Sequence, residues 1–371
     1  MKFEIKKSIL SNSLKNINNL IDANNLNPNL SGVFIKARDN KLTLIATNGS
    51  SCYQQIISNV TIKEAGDILV KPKILYSYIS KINQEMITIN QIDEKILQIH
   101  SEKYSCEINL IDSSSFPILN FDHDNWKKIT LTFDTLMSIS QRIKPFTSSI
   151  FSNSNPATAG ILFNPIDEKQ MECVASDPFR MAYYKFDFSS DSARFVIEPK
   201  VIDMALDIMT SNKSKTIDFY LSEKECILNS DDVIVKFTLY KDTYPNIIKA
   251  ILSEQKYSFT VKLPDLINAL DRGSAVLLNE SRPIANFKIE NNKLNIKFIS
   301  NETGNSFEQV DLIKSNIDNF EVKLNQKLFS SIINTIKTET ITFNFNSTNA
   351  PIVISSNNPY FLNLIVPIRS L

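Results

Sequence analysis

No run of about 18 consecutive apolar residues occurs in this 371-residue sequence, so no transmembrane helix and no membrane partner is expected. The opening MKFEIKKSIL interleaves charged with apolar residues and does not read as a signal peptide, which points to a cytoplasmic protein. There are four cysteines, Cys52, Cys106, Cys173 and Cys226, all far apart and none in a CxxC pair. With two histidines beside them, this excludes a zinc site and a disulfide framework and suits a reducing compartment. Each cysteine reads as a small buried apolar residue. No GxxxxGK[ST] or GxGxxG segment signals a nucleotide site. His100 and His123 alone supply neither a His-based triad nor a metal cluster, so no cofactor, no metal and no catalysis are expected. Asp177 in VASDPFR reads as a turn-former. Charge of one sign is also missing, since 40 basic residues balance 40 acidic ones. Any nucleic-acid role must then rest on where the charges sit.

What the sequence has is a long internal repeat. Four blocks recur in the same order three times. The first is an alternating strand leading into a helix: KFEIKKSILSNSLKNI from Lys2, KITLTFDTLMSISQRI from Lys128 and YSFTVKLPDLINALDR from Tyr257. The second is a hairpin-like strand pair: LSGVFIKARDNKLTLIATN from Leu30, TAGILFNPIDEKQMECVASD from Thr158 and PIANFKIENNKLNIKFISN from Pro283. The third is strand then helix: GDILVKPKILYSYISKI from Gly66, ARFVIEPKVIDMALDIM from Ala193 and DNFEVKLNQKLFSSIINTI from Asp318. The fourth is a strand pair closing on Phe116-Pro117, Tyr244-Pro245 and Val366-Pro367.

Period-two alternation puts Ile129, Leu131 and Phe133 on one strand face, and helical spacing puts Ile9, Leu10, Leu14, Ile17 and Ile21 on one helix stripe. Pro72, Pro199 and Pro264 suit first helical turns, where a missing N–H costs nothing. Each copy reads as a β-α-β-β-β-α-β-β unit, giving an α+β fold of three tandem domains at 1–125, 126–252 and 253–371. The boundaries fall at the polar stretches FDHDNW and SEQK. Units of this size exceed solenoid repeats about threefold and approach whole domains. Domains placed head to tail close into a ring if the rotation closes.

The full chain resembles the bacterial DNA polymerase III beta subunit, the sliding clamp. The resemblance is carried by LSGVFI at the first hairpin, VASDPFRMA from Val174 to Ala182, YPNII after KDT and the VPIRSL tail, in that order within the three-fold repeat. It implies a head-to-tail homodimer ring of six units, with helices lining a central hole and sheets outside. Twelve helices packed side by side at about 9 Å close a circle about 35 Å across. Subtracting about 10 Å of helix diameter leaves a hole of about 25 Å, enough for duplex DNA. The implied function is to encircle DNA without sequence readout at the nucleoid and to tether the replicative polymerase and DNA repair proteins through short peptide motifs. An ATP-dependent clamp loader would place the ring. A structural scaffold of the same fold with reduced DNA function is the alternative, suggested by the balanced charge and by Asn24, which stands where the family has an arginine.

The resemblance also implies sites. Phosphate contacts fall on Lys15, Lys73, Lys81, Arg142, Lys144, Lys200, Lys327 and Lys337, interspersed with Asp203, Asp207, Asp265 and Asp271. A partner-peptide cleft falls on Thr158, Ser176, Phe179, Arg180, Met181, Pro245, Lys249, Leu364, Ile365, Val366, Pro367 and Ile368. Pro367 is expected to end the last strand and turn the tail outward as groove wall. Pro178-Phe179 replaces a Gly-His, Lys249 replaces an arginine, and the tail carries an additional Ser370. The dimer joint is expected to set Cys106 and Ile108 against Val276 and Leu277, with Lys103 facing Glu302 or Glu308.

Overall fold

The computed structural model describes residues 1–20, 28–114, 116–148, 155–188, 191, 193–241 and 243–368. Ile21, Asn24 and Ser370 lie outside them. Each repeat runs strand, helix, a set of strands, helix, three strands. The α-helices among the described residues are α1 (Lys7–Leu20), α2 (Pro72–Ile79), α3 (Phe133–Arg142), α4 (Pro199–Asn212), α5 (Ile248–Leu252), α6 (Leu263–Ser274) and α7 (Gln326–Ile333). Their apolar positions recur every three to four residues. In α1 the buried side chains include Leu10, Leu14, Ile17 and Leu20. In α6 they include Leu263, Leu266, Ala269, Leu270 and Gly273. Pro72 and Pro264 sit in first helical turns, and Asn325 caps α7 by accepting the Leu328 N–H.

Each copy carries more strands than the periodicity indicated. Ser51–Ile57, Arg180–Asp187 and Gly304–Ser315 are all strands. The first two bury adjacent residues on both faces, and the third is largely polar, so none shows a clean apolar alternation.

The chain divides into two compact units. Unit 1 holds residues 1–136, 188–193 and 200–239; unit 2 holds 137–187, 194–199 and 240–371. The middle repeat thus contributes strands to both. Unit 1 is built on one 13-stranded antiparallel sheet, in which Ser51–Ile57 of the first repeat pairs with Val233–Thr238 of the middle one. Unit 2 is built on a 12-stranded sheet, in which Arg180–Asp187 pairs with Phe361–Ile365 of the third repeat. Besides the strands at the ends of the two sheets, Tyr104–Ile111 and Gly304–Ser315 keep partly open edges among the described residues. Tyr104–Ile111 meets Gly66–Val70 only at Leu110 and Ile111. Gly304–Ser315 meets Tyr257–Lys262 only near its C-terminal end. Backbone groups along the rest of those edges are available for pairing.

Cys52, Cys173 and Cys226 are buried, as small apolar residues should be, while Cys106 is half-buried. Gly273 is required by close approach, because a Cβ there would stand 2.0 Å from the Phe298 ring.

Candidate functional site

Side chains alternate across a strand, so Leu362, Leu364 and Val366 lie on one face of the last strand and its extension. Leu364 is paired with Met181, and Leu362 with Tyr183. These four join Ala157, Leu162, Val174, Val196, Val353, Tyr244 and Ile251 in one apolar cluster. Met181 and Leu364 are its buried floor. Its half-buried lip is formed by Tyr240, Ile247, Ile248, Leu362 and Val366. Short helix α5 presents Ile248 to this cluster and leaves Lys249 exposed at the rim. Pro245 is half-buried beside it.

Two hydroxyls are built into the wall. Ser176 Oγ and Tyr244 Oη are 3.1 Å apart and buried, and Ser148 Oγ donates to the Ser176 carbonyl at 2.9 Å. Burial pushes the Tyr244 hydroxyl up to about 12, moderated by the Ser176 hydrogen bond. Thr158 is buried and donates its hydroxyl to the Asn155 carbonyl. Asp177 makes the turn into the strand, accepting the N–H groups of Phe179 and Arg180 at 2.9 and 3.0 Å. That turn leaves Phe179 57% exposed.

Arg180 and Ile365 are corrections. They pair with each other across the strands and share the opposite face from Met181 and Leu364. Arg180 Nε bonds Asp177 at 2.8 Å, one terminal nitrogen donates to the Pro145 carbonyl at 3.0 Å, and the other meets the Ser331 hydroxyl. Its guanidinium also lies over the Phe146 ring. Arg180 therefore ties turn to helix, and Ile365 is core.

The tail differs as well. The Val366 N–H still donates to the Phe179 carbonyl at 2.8 Å, Pro367 is buried, and the Ile368 N–H donates to Lys323 at 2.8 Å. Residues 366–368 are tied down rather than turned outward, because the missing proline donor is bridged by bonds on both sides.

At the expected joint, Ile108 is 5% exposed and Leu277 is 1% exposed, so both belong to the chain's own interior. Leu278 is the outward residue, at 74% exposed. Cys106 and Val276 are half-buried, whereas Lys103 and Glu302 are exposed. Glu308 is already engaged by Arg272 at 3.0 and 2.5 Å in the same chain. Exposed Ile74 of α2 and Phe307 add apolar surface in the two regions, and Tyr78 lies close to Tyr104 and Cys106.

The candidate phosphate ligands fall on or beside helices. Lys15 of α1 lies 4.0 Å from Asp207 of α4. Lys73 and Lys81 are exposed at the two ends of α2, and Lys200 is half-buried in the first turn of α4. In unit 2, Lys327 is exposed on α7 and Lys144 is half-buried. Lys337 contacts Gln141 at 3.2 Å. Arg142 stands 4.2 Å over the Phe361 ring, and burial lowers its pKa. Asp203, Asp207, Asp265 and Asp271 interrupt these helices with negative charge. Among the described residues no cluster of metal-ligating side chains occurs, and no helix is long and apolar enough to cross a membrane.

The sequence did not place Tyr244, Ile247, Ile248 and Leu362 in this cluster. The signal for Leu362 was present, since FLNLIV sets it in register with Leu364 and Val366.

Two family models match the chain. DNA polymerase III beta subunit, N-terminal domain, covers residues 1–120, and DNA polymerase III beta subunit, C-terminal domain, covers residues 249–369. The chain is similar to the beta sliding clamp of Mycoplasma genitalium, with 25% identity over 385 residues and all of both chains covered. It is similar to that of Bacillus subtilis at 20% identity over 388 residues, again with full coverage of both. Among solved structures, the DNA polymerase III beta subunit of Thermotoga maritima superposes with a TM-score of 0.91 at 17% identity, covering both chains completely.

Proposed function

We infer that this chain, which belongs to the bacterial DNA polymerase III beta subunit family, is a sliding clamp that encircles duplex DNA and tethers a polymerase to it. The observation that carries this is the conjunction of a full-length three-fold repeat with an apolar cluster in which half-buried Ile247, Ile248, Leu362 and Val366 pack over buried Met181 and Leu364. The three domains span 1–125, 126–252 and 253–371. Two copies join head to tail, the open edge at Tyr104–Ile111 of one chain meeting that at Gly304–Ser315 of the other, with Ile74, Cys106, Val276, Leu278 and Phe307 as the apolar contact. Pairing two open edges would satisfy backbone groups at the joint. An ATP-driven loader would open that joint.

Helices line the hole and hold DNA loosely through Lys15, Lys73, Lys81, Arg142, Lys144, Lys200, Lys327 and Lys337. Weak, mixed-charge contact suits sliding, because phosphate contacts carry no sequence information. Polymerase, loader and repair proteins place an apolar anchor against Met181, Leu364, Val366 and the α5 lip, with Thr158, Ser176, Phe179, Pro245 and Lys249 around them. The protein acts as an accessory subunit at the nucleoid and performs no catalysis itself. A scaffold with reduced DNA function is the second reading, favoured by the Lys15–Asp207 pairing, which spends one candidate cation within the chain.

The test is primer extension on a long single-stranded circle with the cognate polymerase and loader. Product length per binding event should rise many-fold when the chain is added. Unchanged product length, with groove binding intact, would favour the scaffold reading.

A further inference from the structure

Unit 1 carries a cavity of about 350 Å³ bounded by α1, α4 and the ends of Ser51–Ile57 and Val233–Thr238. Among the described residues lining it, Asp232 is the one acidic side chain; no lysine or arginine lines it. Its walls combine isoleucines, including Ile9, Ile56 and Ile208, with amides and hydroxyls. One Asp232 carboxylate oxygen accepts Asn212 Nδ2 at 2.8 Å and the other accepts Gln55 Nε2 at 3.3 Å. Gln55 Oε1 accepts the Tyr53 hydroxyl at 2.8 Å, and Asn16 hydrogen-bonds that hydroxyl from α1. This chain of hydrogen bonds runs towards Asp232 and fixes its orientation. The neighbouring cation, Lys15, is directed to Asp207 instead.

We propose that this cavity binds a primary alkylammonium group, supplied either by a free polyamine or by a lysine side chain. A carboxylate has about four acceptor sites, and two amide donors leave capacity for more. An ammonium brings three donors and no acceptor, so it can take the acceptor sites of Asp232 that the two amide donors leave, in a cavity also lined by Ser58, Asn59 and Ser211. The alkyl chain would lie along the isoleucine walls. A divalent metal fits poorly, because calcium or magnesium takes about six or more oxygen ligands and the walls here are partly apolar.

The test uses the full chain without DNA, so its outcome is independent of clamp action. Putrescine, butanediol, magnesium chloride and an acetylated Gly-Lys-Gly amide are titrated separately, with amide NMR shifts of Gln55 and Asn212 as readout. Putrescine should bind saturably in the millimolar range, and butanediol and magnesium should not. Asp232→Asn should weaken binding at least tenfold. Because Asp232→Asn also changes the acceptor of Gln55 and Asn212, Ser211→Phe, at an exposed lining position, serves as a second variant that fills the cavity and should also abolish binding. Tighter binding of the lysine peptide identifies a partner side chain as the source; tighter binding of putrescine identifies the free amine. No saturable binding to either amine, equal binding of butanediol, or undiminished binding by both folded variants would overturn the site.

Discussion

Replacing Leu362 with aspartate separates the two faces of the last strand. Leu362 is half-buried at the groove lip, while Met181 and Leu364 beneath it stay in place. A partner's apolar anchor covering this lip gains about 1.5–3 kcal/mol on full burial. A carboxylate there removes that gain, so affinity should fall about 10- to 150-fold at about 1.4 kcal/mol per tenfold change. The assay is fluorescence anisotropy with a labelled peptide carrying a leucine and an aromatic anchor, beside thermal melting of each variant. Ile365→Val is the control on the opposite face. It should cost about 0.5–1.5 kcal/mol of stability and leave peptide affinity unchanged. A folded Leu362→Asp variant that binds within twofold of the native chain would refute the face assignment.

The native chain should sediment as a dimer and Leu278→Asp as a monomer, whereas Ile108→Val, a change in the interior, should sediment like the native chain. Gly273→Ala should destabilise unit 2 by about 1–3 kcal/mol in denaturant unfolding, because the added methyl meets the Phe298 ring. Stability should also decline above pH 10.0, the ordinary tyrosine value. Burial raises Tyr53, Tyr183 and Tyr244 above it, so between there and about 12 the unfolded chain releases protons that the folded chain keeps. The loss is up to about 1.4 kcal/mol per pH unit for each tyrosine, and Tyr244→Phe should make the decline in melting temperature shallower.

Much of the fold was legible because local periodicity repeats three times. The α1 stripe of Leu10, Leu14 and Ile17 and the proline-led starts of α2 and α6 follow directly from spacing. The strand joins were not legible. Tyr53 pairs with Val235 and Met181 with Leu364, and no local pattern names a partner so distant in sequence. That Leu277 is buried and Leu278 exposed has a local cause. The resemblance pointed to Leu277, but a tight 3-10 turn at Ala275–Leu277 follows α6 and turns that side chain inward, a local geometry that matching positions do not carry. Arg180 was placed in the cleft by the resemblance, and its residue type suits a peptide ligand. Its actual partners, Asp177, Pro145, Phe146 and Ser331, are set by tertiary packing.

The central claim is a closed ring around DNA, and the most direct measurement is the lifetime of the loaded protein on a nicked circle before and after the circle is cut. A topological link predicts long retention on the circle and rapid loss by sliding off once an end is made, with direct binding to linear DNA weak and falling steeply with salt. Equal lifetimes on circular and linearised DNA would contradict it.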